Sequence, residues 1–553
     1  MNSTKLGGAL CATAVIAAVA AGASSANATT DSTTGRRQTP QHVLLLSVDG
    51  MHQRDLTWYV RQHPHSALAA LVHGGTSFTR AQTPVPSDSF PGMVGQVTGG
   101  NPRTTGVYYD DTFNHALLPA GTTSCAGATP GAEVAYTEAA DKDPQALDAG
   151  QGLSNLPDGI LKMTGHPGSL LDRAQLPVDP KSCTPVYPHQ YLHVNTVFEV
   201  AKRAGLHTAW SDKHPAYEIL GGPSGSGLDD LFAPEINSKA TGYPGGIDWT
   251  QDNAATQQYD GYKVKAVLNE IDGYDHSRST KAGVPGVFGM NFQSVSTAEK
   301  LPVSDGLKGG YLADGVTPGP LLAKALDFIN ASVGSFEREI ADRGLGKTTT
   351  VILSAKHAQS PTKPSALTRV PDGAIIDGLN AAWKATHPTA PALVAMSTND
   401  DIMQLWLSNR AAEATTFAAN YLKSHSAAGN DINGAPRTVA ASGLATVYAG
   451  KDAARFFGVA ASDSRHPDVL GIVQHGVVYT GGKAKIAEHG GADPQDRDVP
   501  LVIAGPGSHR GETVNAEVET TQIAPSILRL LGLDPRSLQA VRIEHTQVLP
   551  TVG

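Results

Sequence analysis

Apolar runs of strand length alternate along this chain with segments whose apolar positions recur at helical spacing, the pattern of an α/β fold. His42-Val43-Leu44-Leu45-Leu46-Ser47-Val48 is apolar almost throughout, as a parallel strand covered on both faces must be. It ends at Asp49-Gly50. Leu322, Leu326, Ile329, Val333, Phe336 and Ile340 are spaced alternately by four and three residues, which predicts one long amphipathic helix stopping near Gly344. A strand over 350–355 follows and delivers Lys356-His357. A shorter unit repeats the plan: a helix over 197–204, Gly205 as its terminator, and a strand over 207–210 leading into Ser211-Asp212-Lys213-His214. Near the end, 499–504 reads as a strand and 520–531 as a helix with Pro525 in its early turns.

Composition narrows this picture. A chain of 553 residues, 40% hydrophobic and 17% charged, is too long and too apolar to be disordered. A formal charge of -9 argues against a nucleic-acid-binding domain, which needs a cationic face. Lys5, the Ala-rich run over 6–21 and Ala26-Asn27-Ala28 form a signal-peptide pattern over 1–28. Its removal takes one Lys and no acid, moving the charge to -10, and implies a secreted protein with no later membrane span. A Thr/Ser-rich linker occupies 29–40, and 41–553 reads as one α/β domain with a Gly/Ala/Pro/Asp-rich, loop-rich insertion at about 108–190 that could cap a site. Cys125 and Cys183 remain in the mature chain. In an oxidising compartment they are expected to pair, closing a loop worth roughly 4 kcal/mol on the chain-entropy model; two separate buried thiols are the alternative.

Ligands in open α/β sheets sit beyond the carboxyl ends of the strands, which singles out Asp49, Lys356 and His357. Ser89, in Ser87-Asp88-Ser89-Phe90-Pro91-Gly92, stands at or near the start of a short helix that Gly99-Gly100 closes. A hydroxyl there either caps the helix or attacks a bound anion, and to attack it needs a base or a metal. Asp49, His357 and His489 together make a carboxylate-imidazole set that a divalent ion accepts. Singly, each has a plain structural reading as a turn, a core histidine or a loop residue.

The sequence resembles the alkaline phosphatase superfamily, in its type I phosphodiesterase/nucleotide pyrophosphatase branch. The resemblance is carried by Leu44-Leu45-Leu46-Ser47-Val48-Asp49-Gly50, Ser89-Phe90-Pro91 with Val97-Thr98-Gly99, Val351-Ile352-Leu353-Ser354-Ala355-Lys356-His357, His489-Gly490-Gly491, and Thr521-Gln522-Ile523-Ala524-Pro525. It implies a central, mostly parallel sheet flanked by helices, and hydrolysis through a metal-bound Thr or Ser nucleophile. On that pattern Asp49 matches the first metal aspartate, Ser89 the nucleophile, His357 the histidine of an Asp-His pair and His489 a late metal histidine. Lys213 and His214 fall where the family contacts substrate.

Three positions depart from the pattern. Lys356-His357-Ala358 stands for Asp-His-Gly, Met290-Asn291-Phe292-Gln293-Ser294 supplies neither Asp nor His of an Asp-x-x-Gly-His motif, and no asparagine follows Gly106-Val107. Two divalent ions would place about +4 beside the phosphoryl group, and too few ligands remain to hold both. The sulfatase branch, with one ion and a lysine handling the anion, resembles this arrangement. The expectation is therefore one divalent ion on Asp49, Ser89 and His357, zinc first and calcium or magnesium as alternatives. Lys356 and His489 would serve catalysis, and Lys213 and His214 would bind a small-molecule phosphate ester or related anion. A catalytically reduced anion- or glycan-binding protein, and a sulfate or phosphonate ester hydrolase, are the alternatives.

Overall fold

In the computed structural model, which describes residues 41–552, the continuous apolar run at 42–48 forms the strand at the middle of a nine-stranded sheet. The strands are β1 (His42–Val48), β2 (Gly75–Gln82), β3 (Ala209–Ser211), β4 (Asp230–Phe232), β5 (Val287–Phe292), β6 (Thr349–Ser354), β7 (Asp498–Ala504), β8 (Glu512–Val514) and β9 (Val518–Glu519). Their order is β8-β2-β7-β6-β1-β5-β3-β4, with β9 also on β2, and only β7 runs against the others. The signal and linker expected at 1–40 lie outside the described residues.

The flanking helices are α1 (Ser89–Thr98), α2 (Val197–Arg203), α3 (Asn253–Ile271), α4 (Pro320–Asp342) and α5 (Ile523–Leu530). Val43 and Leu45 pack with Phe90, Met93, Val97 and Ile527 in one core layer. Leu44, Leu46 and Val48 pack on the other face with Leu322, Leu326, Ile329, Val333 and Phe336, the stripe that the four-and-three spacing predicts. Burial on both faces is why β1 carries no polar alternation. No helix among the described residues is long and apolar enough to cross a membrane.

Register decides where the chemistry falls. β1 pairs with β6 from His42↔Thr349 to Ser47↔Ser354 and with β5 from Val43↔Val287 to Val48↔Phe292. Three strands therefore end level, and Asp49, Gln293 and Lys356-His357 emerge side by side. Helix α1 lies close over this edge, and a Cβ placed on Gly92 would stand 2.1 Å from the Lys356 carbonyl oxygen. Gly92→Ala is expected to lower stability by about 1–3 kcal/mol through overpacking; an unchanged melting temperature would show that the helix can lift without cost.

The insertion at 108–190 is loop-rich, with two short ribbons, Asp111–Asn114 on Ala132–Ala135 and Val178–Asp179 on Thr184–Pro185. Cys125 and Cys183 are disulfide-bonded, with Cα atoms 5.8 Å apart. A second insertion, between His357 and His489, has no counterpart in the sequence reading. It holds an antiparallel sheet of Val394–Asn399, Ile402–Leu407, Val469–Val473 and Leu444–Ala449. Helices Gly373–Thr386 and Ala412–Ser424 cover it, with Leu379, Trp383, Leu405 and Leu422 in a core of its own.

Candidate active site

Helix α1 begins at Ser89 and its N-cap is Asp88, whose carboxylate accepts the Phe90 N–H at 3.2 Å. Of the two uses open to Ser89, capping thus falls to its neighbour, and the hydroxyl is free for other partners. Ser89 Oγ lies 3.4 Å from Asp49 Oδ2 and 3.2 Å from His357 Nε2, and those two atoms are 3.6 Å apart. Lys213 Nζ donates to Ser89 Oγ at 2.9 Å and stands 3.6 Å from Asp49 Oδ2.

His357 Nδ1 is 3.0 Å from the Ala358 carbonyl oxygen. A carbonyl only accepts, so Nδ1 carries the proton and Nε2 presents its lone pair to the cluster. Ligand atoms around a four-coordinate ion bonded at about 2.1 Å stand about 3.4 Å apart, which matches the triangle of Asp49, Ser89 and His357. One divalent ion fits these donors. Asn291 and Gln293 turn their amides onto Asp49 (Nδ2 to Oδ1 2.7 Å, Nε2 to Oδ2 2.6 Å) and add no charged ligand for a second ion.

Electrostatics sharpen the contrast between groups. Burial pulls the Asp49 carboxyl upward, but Lys356, His357 and Lys213 outweigh it and hold Asp49 well below the usual carboxylate range. Burial lowers His357, with Asp49 opposing. His489 is driven well down by burial and by Lys300, His357 and Lys213. Its ring is 4.1 Å from that of His357, and its Nδ1 is 3.4 Å from Asp88 Oδ2. Burial and Asp110 push Asp88 well above its ordinary value. Backbone pairing sets this contact, since Gly490 N–H donates to Ser87 O at 2.8 Å.

One expected catalytic residue, Lys356, and one expected substrate contact, His214, turn away from the Ser89 hydroxyl. Lys356 is fully buried and its Nζ is held by Asp212 Oδ1 (2.8 Å) and Tyr217 OH (2.7 Å). The ammonium at the hydroxyl is Lys213, because Lys356 spends its hydrogen bonds inside the protein. His214 is also buried, and its Nδ1 faces both oxygens of Glu235 at 2.9 and 2.8 Å. Burial and Lys213 hold His214 down to about 3. Asp88 and Tyr217 have no role in the sequence reading, which has Asp212 only as a residue beside Lys213 after a strand and Asn291 and Gln293 only as departures from a motif.

The type I phosphodiesterase/nucleotide pyrophosphatase family model matches residues 43–151. That span contains Asp49, Asp88 and Ser89 but not the later site residues. No curated protein matches the sequence. Among solved structures, the chain is similar to murine ectonucleotide pyrophosphatase/phosphodiesterase 5, with a TM-score of 0.53 at 11% identity over 90% of this chain and 96% of that one. It is also similar to the alkaline phosphatase PafA, with a TM-score of 0.59 at 14% identity over 93% and 99% of the two chains. An inactive variant of the murine protein has been solved in complex with AMP at the same similarity.

Proposed function

We propose that this chain, which has the alkaline phosphatase superfamily fold and the type I phosphodiesterase/nucleotide pyrophosphatase signature in its first part, is a secreted, metal-dependent hydrolase of phosphate esters or phosphodiesters. The observation that carries the reading is the convergence of Ser89 Oγ, Asp49 Oδ2, His357 Nε2 and Lys213 Nζ at the carboxyl edge of the sheet. Ser89 Oγ forms the bond to phosphorus while the ester oxygen leaves, and water later releases the phosphoryl group from Ser89. Lys213 favours the alkoxide form of Ser89 and offsets charge on the phosphoryl oxygens. His489, whose ring stacks beside that of His357 and whose Nδ1 faces Asp88, would take the serine proton or return one to the leaving oxygen. Asp49, Ser89 and His357 would hold one divalent ion, which when bound supplies Lewis-acid polarisation of the phosphoryl group.

Chelation is expected to remove turnover of a bis-aryl phosphate and zinc to restore it; turnover indifferent to chelator would sink the metal-dependent reading. Testing aryl phosphate, bis-aryl phosphate and aryl sulfate side by side sorts the ester class, with sulfate preference supporting the sulfatase-like alternative.

One observation favours a second reading, a catalytically reduced protein that binds an anion. Ser89 and Asp49 are wholly buried, and both carboxylate oxygens of Asp49 accept amide N–H groups. Saturable phosphate binding by folded protein that turns over none of the three esters would establish it.

A further inference from the structure

Three groups of histidine and carboxylate side chains outside the Asp49–Ser89–His357 triangle come close enough to hold a cation. Two are answered from within the protein. Glu488, beside Asp400 and His489, pairs with both Lys300 and Lys485. Asp55 and Glu299 share His52 and the Tyr311 hydroxyl. The third is different.

Glu138, His214 and Glu235 place their ligand atoms within 4.8 Å of one another. Asp141, only 3% exposed, turns its carboxyl onto Glu235, and neither of its oxygens has a hydrogen-bond donor. Glu138 and Glu235 therefore meet His214, and Asp141 joins them through Glu235. Among the described residues, His214 is the only basic side chain in ion-pair contact with any of them. Asn237 orients two of the acids, through its side-chain amide to Glu138 (2.7 Å) and its backbone N–H to Glu235 (2.8 Å). The nearest lysine, Lys213, spends its ammonium on Ser89 and Asp49.

We infer that Glu138, Asp141, His214 and Glu235 form a second, separate site for a divalent cation of the Mn²⁺ or Zn²⁺ class, which accepts carboxylate and imidazole together. Carboxyl and imidazole donors gathered with no lysine or arginine in ion-pair contact among the described residues suit a dication, which on binding would displace the protons that burial favours on Asp141 and Glu235. Its ligands join distant parts of the chain. Glu138 and Asp141 come from the 108–190 insertion, while His214 and Glu235 follow β3 and β4 at the carboxyl edge of the sheet. A bound ion would staple the cap to the sheet and fix the backbone that presents Lys213 to Ser89. The expected content thus rises to two ions per chain, one at each site.

The test is a titration of chelator-stripped full-length protein with Mn²⁺, followed by the electron paramagnetic resonance of the free ion, and with Zn²⁺ by calorimetry. Asp49→Asn, which disables the active-site triangle, is expected to keep one tight equivalent. Adding Glu235→Gln should weaken that equivalent at least about 100-fold, and Asp141→Asn instead about 10-fold or more. Circular dichroism of each variant without metal checks folding, and Asp141→Asn stands in if Glu235→Gln does not fold. The inference is overturned if Asp49→Asn binds no ion, or if its remaining equivalent survives both acid substitutions. Loss of metal from Asp49→Asn alone would leave the active-site ion standing and remove this one. An ion retained in Asp49→Asn, with turnover indifferent to chelator, would do the reverse.

Discussion

Ser89→Ala is expected to reduce kcat on a bis-aryl phosphate by about 10³-fold or more, a loss of about 4 kcal/mol in transition-state stabilisation. At the α1 N-terminus the hydroxyl contacts an acid, an imidazole and an ammonium at once. Removing its oxygen leaves Lys213 and Asp49 facing each other at 3.6 Å, already an ion pair. Folding should therefore survive, with a melting temperature unchanged or raised, as when a strained site is relaxed. Ser89→Thr keeps an oxygen at the same branch point and should retain part of the activity. Full turnover in Ser89→Ala would show that the nucleophile is elsewhere, or that a water attacks directly. Steady-state kinetics with a thermal melt on the same samples distinguishes a chemical loss from a folding loss.

The central sheet was legible because its strands are buried on both faces and so read as unbroken apolar runs, and α4 because its stripe keeps one face over about five turns. The triangle of Asp49, Ser89 and His357 was legible because each follows or faces the carboxyl end of such a strand. What escaped depends on which way a side chain turns. Lys356 and Lys213 both follow strands, and nothing in their spacing says that Tyr217 and Asp212 capture the first and leave the second for Ser89. Asp88 and Ser89 are both common caps, and only backbone geometry decides between them. The second insertion escaped for another reason. Its strands, such as Ile402–Leu407 and Val469–Val473, are short, and their partners are up to about seventy residues away in sequence, so no local pattern announces the sheet. Glu138, Asp141 and Glu235 come together only through the folding of the cap, a long-range event without a sequence signature.

Asp212→Ala is expected to destabilise the protein by about 3–5 kcal/mol, the usual cost of leaving one member of a buried ion pair without its partner. Lys356 is fully buried, and Asp212 and the Tyr217 hydroxyl are its hydrogen-bonding partners. Asp212 also accepts the Trp210 indole N–H at 2.8 Å and the Lys213 backbone N–H at 2.9 Å, so three donors lose their acceptor. The pH dependence has a definite sign. Burial already lowers the Lys356 pKa, with Asp212 the main opposing influence; without Asp212 it falls further below its unfolded value of about 10.4. Between those two values the unfolded chain binds more protons than the folded one, so the stability of the variant rises with pH. Asp212→Ala should therefore recover part of its deficit between pH 7 and pH 9.5, and Asp212→Ala/Lys356→Met should recover most of it at pH 7, because no buried charge is left. Urea or thermal midpoints of the four proteins at both pH values measure this cycle. A single variant with the wild-type midpoint would mean that water or Asp49 compensates Lys356 in place of Asp212. The double variant also separates scaffold from chemistry. If it turns over ester while Lys213→Met does not, the positive charge serving the anion is the lysine at Ser89, and Lys356 belongs to the core.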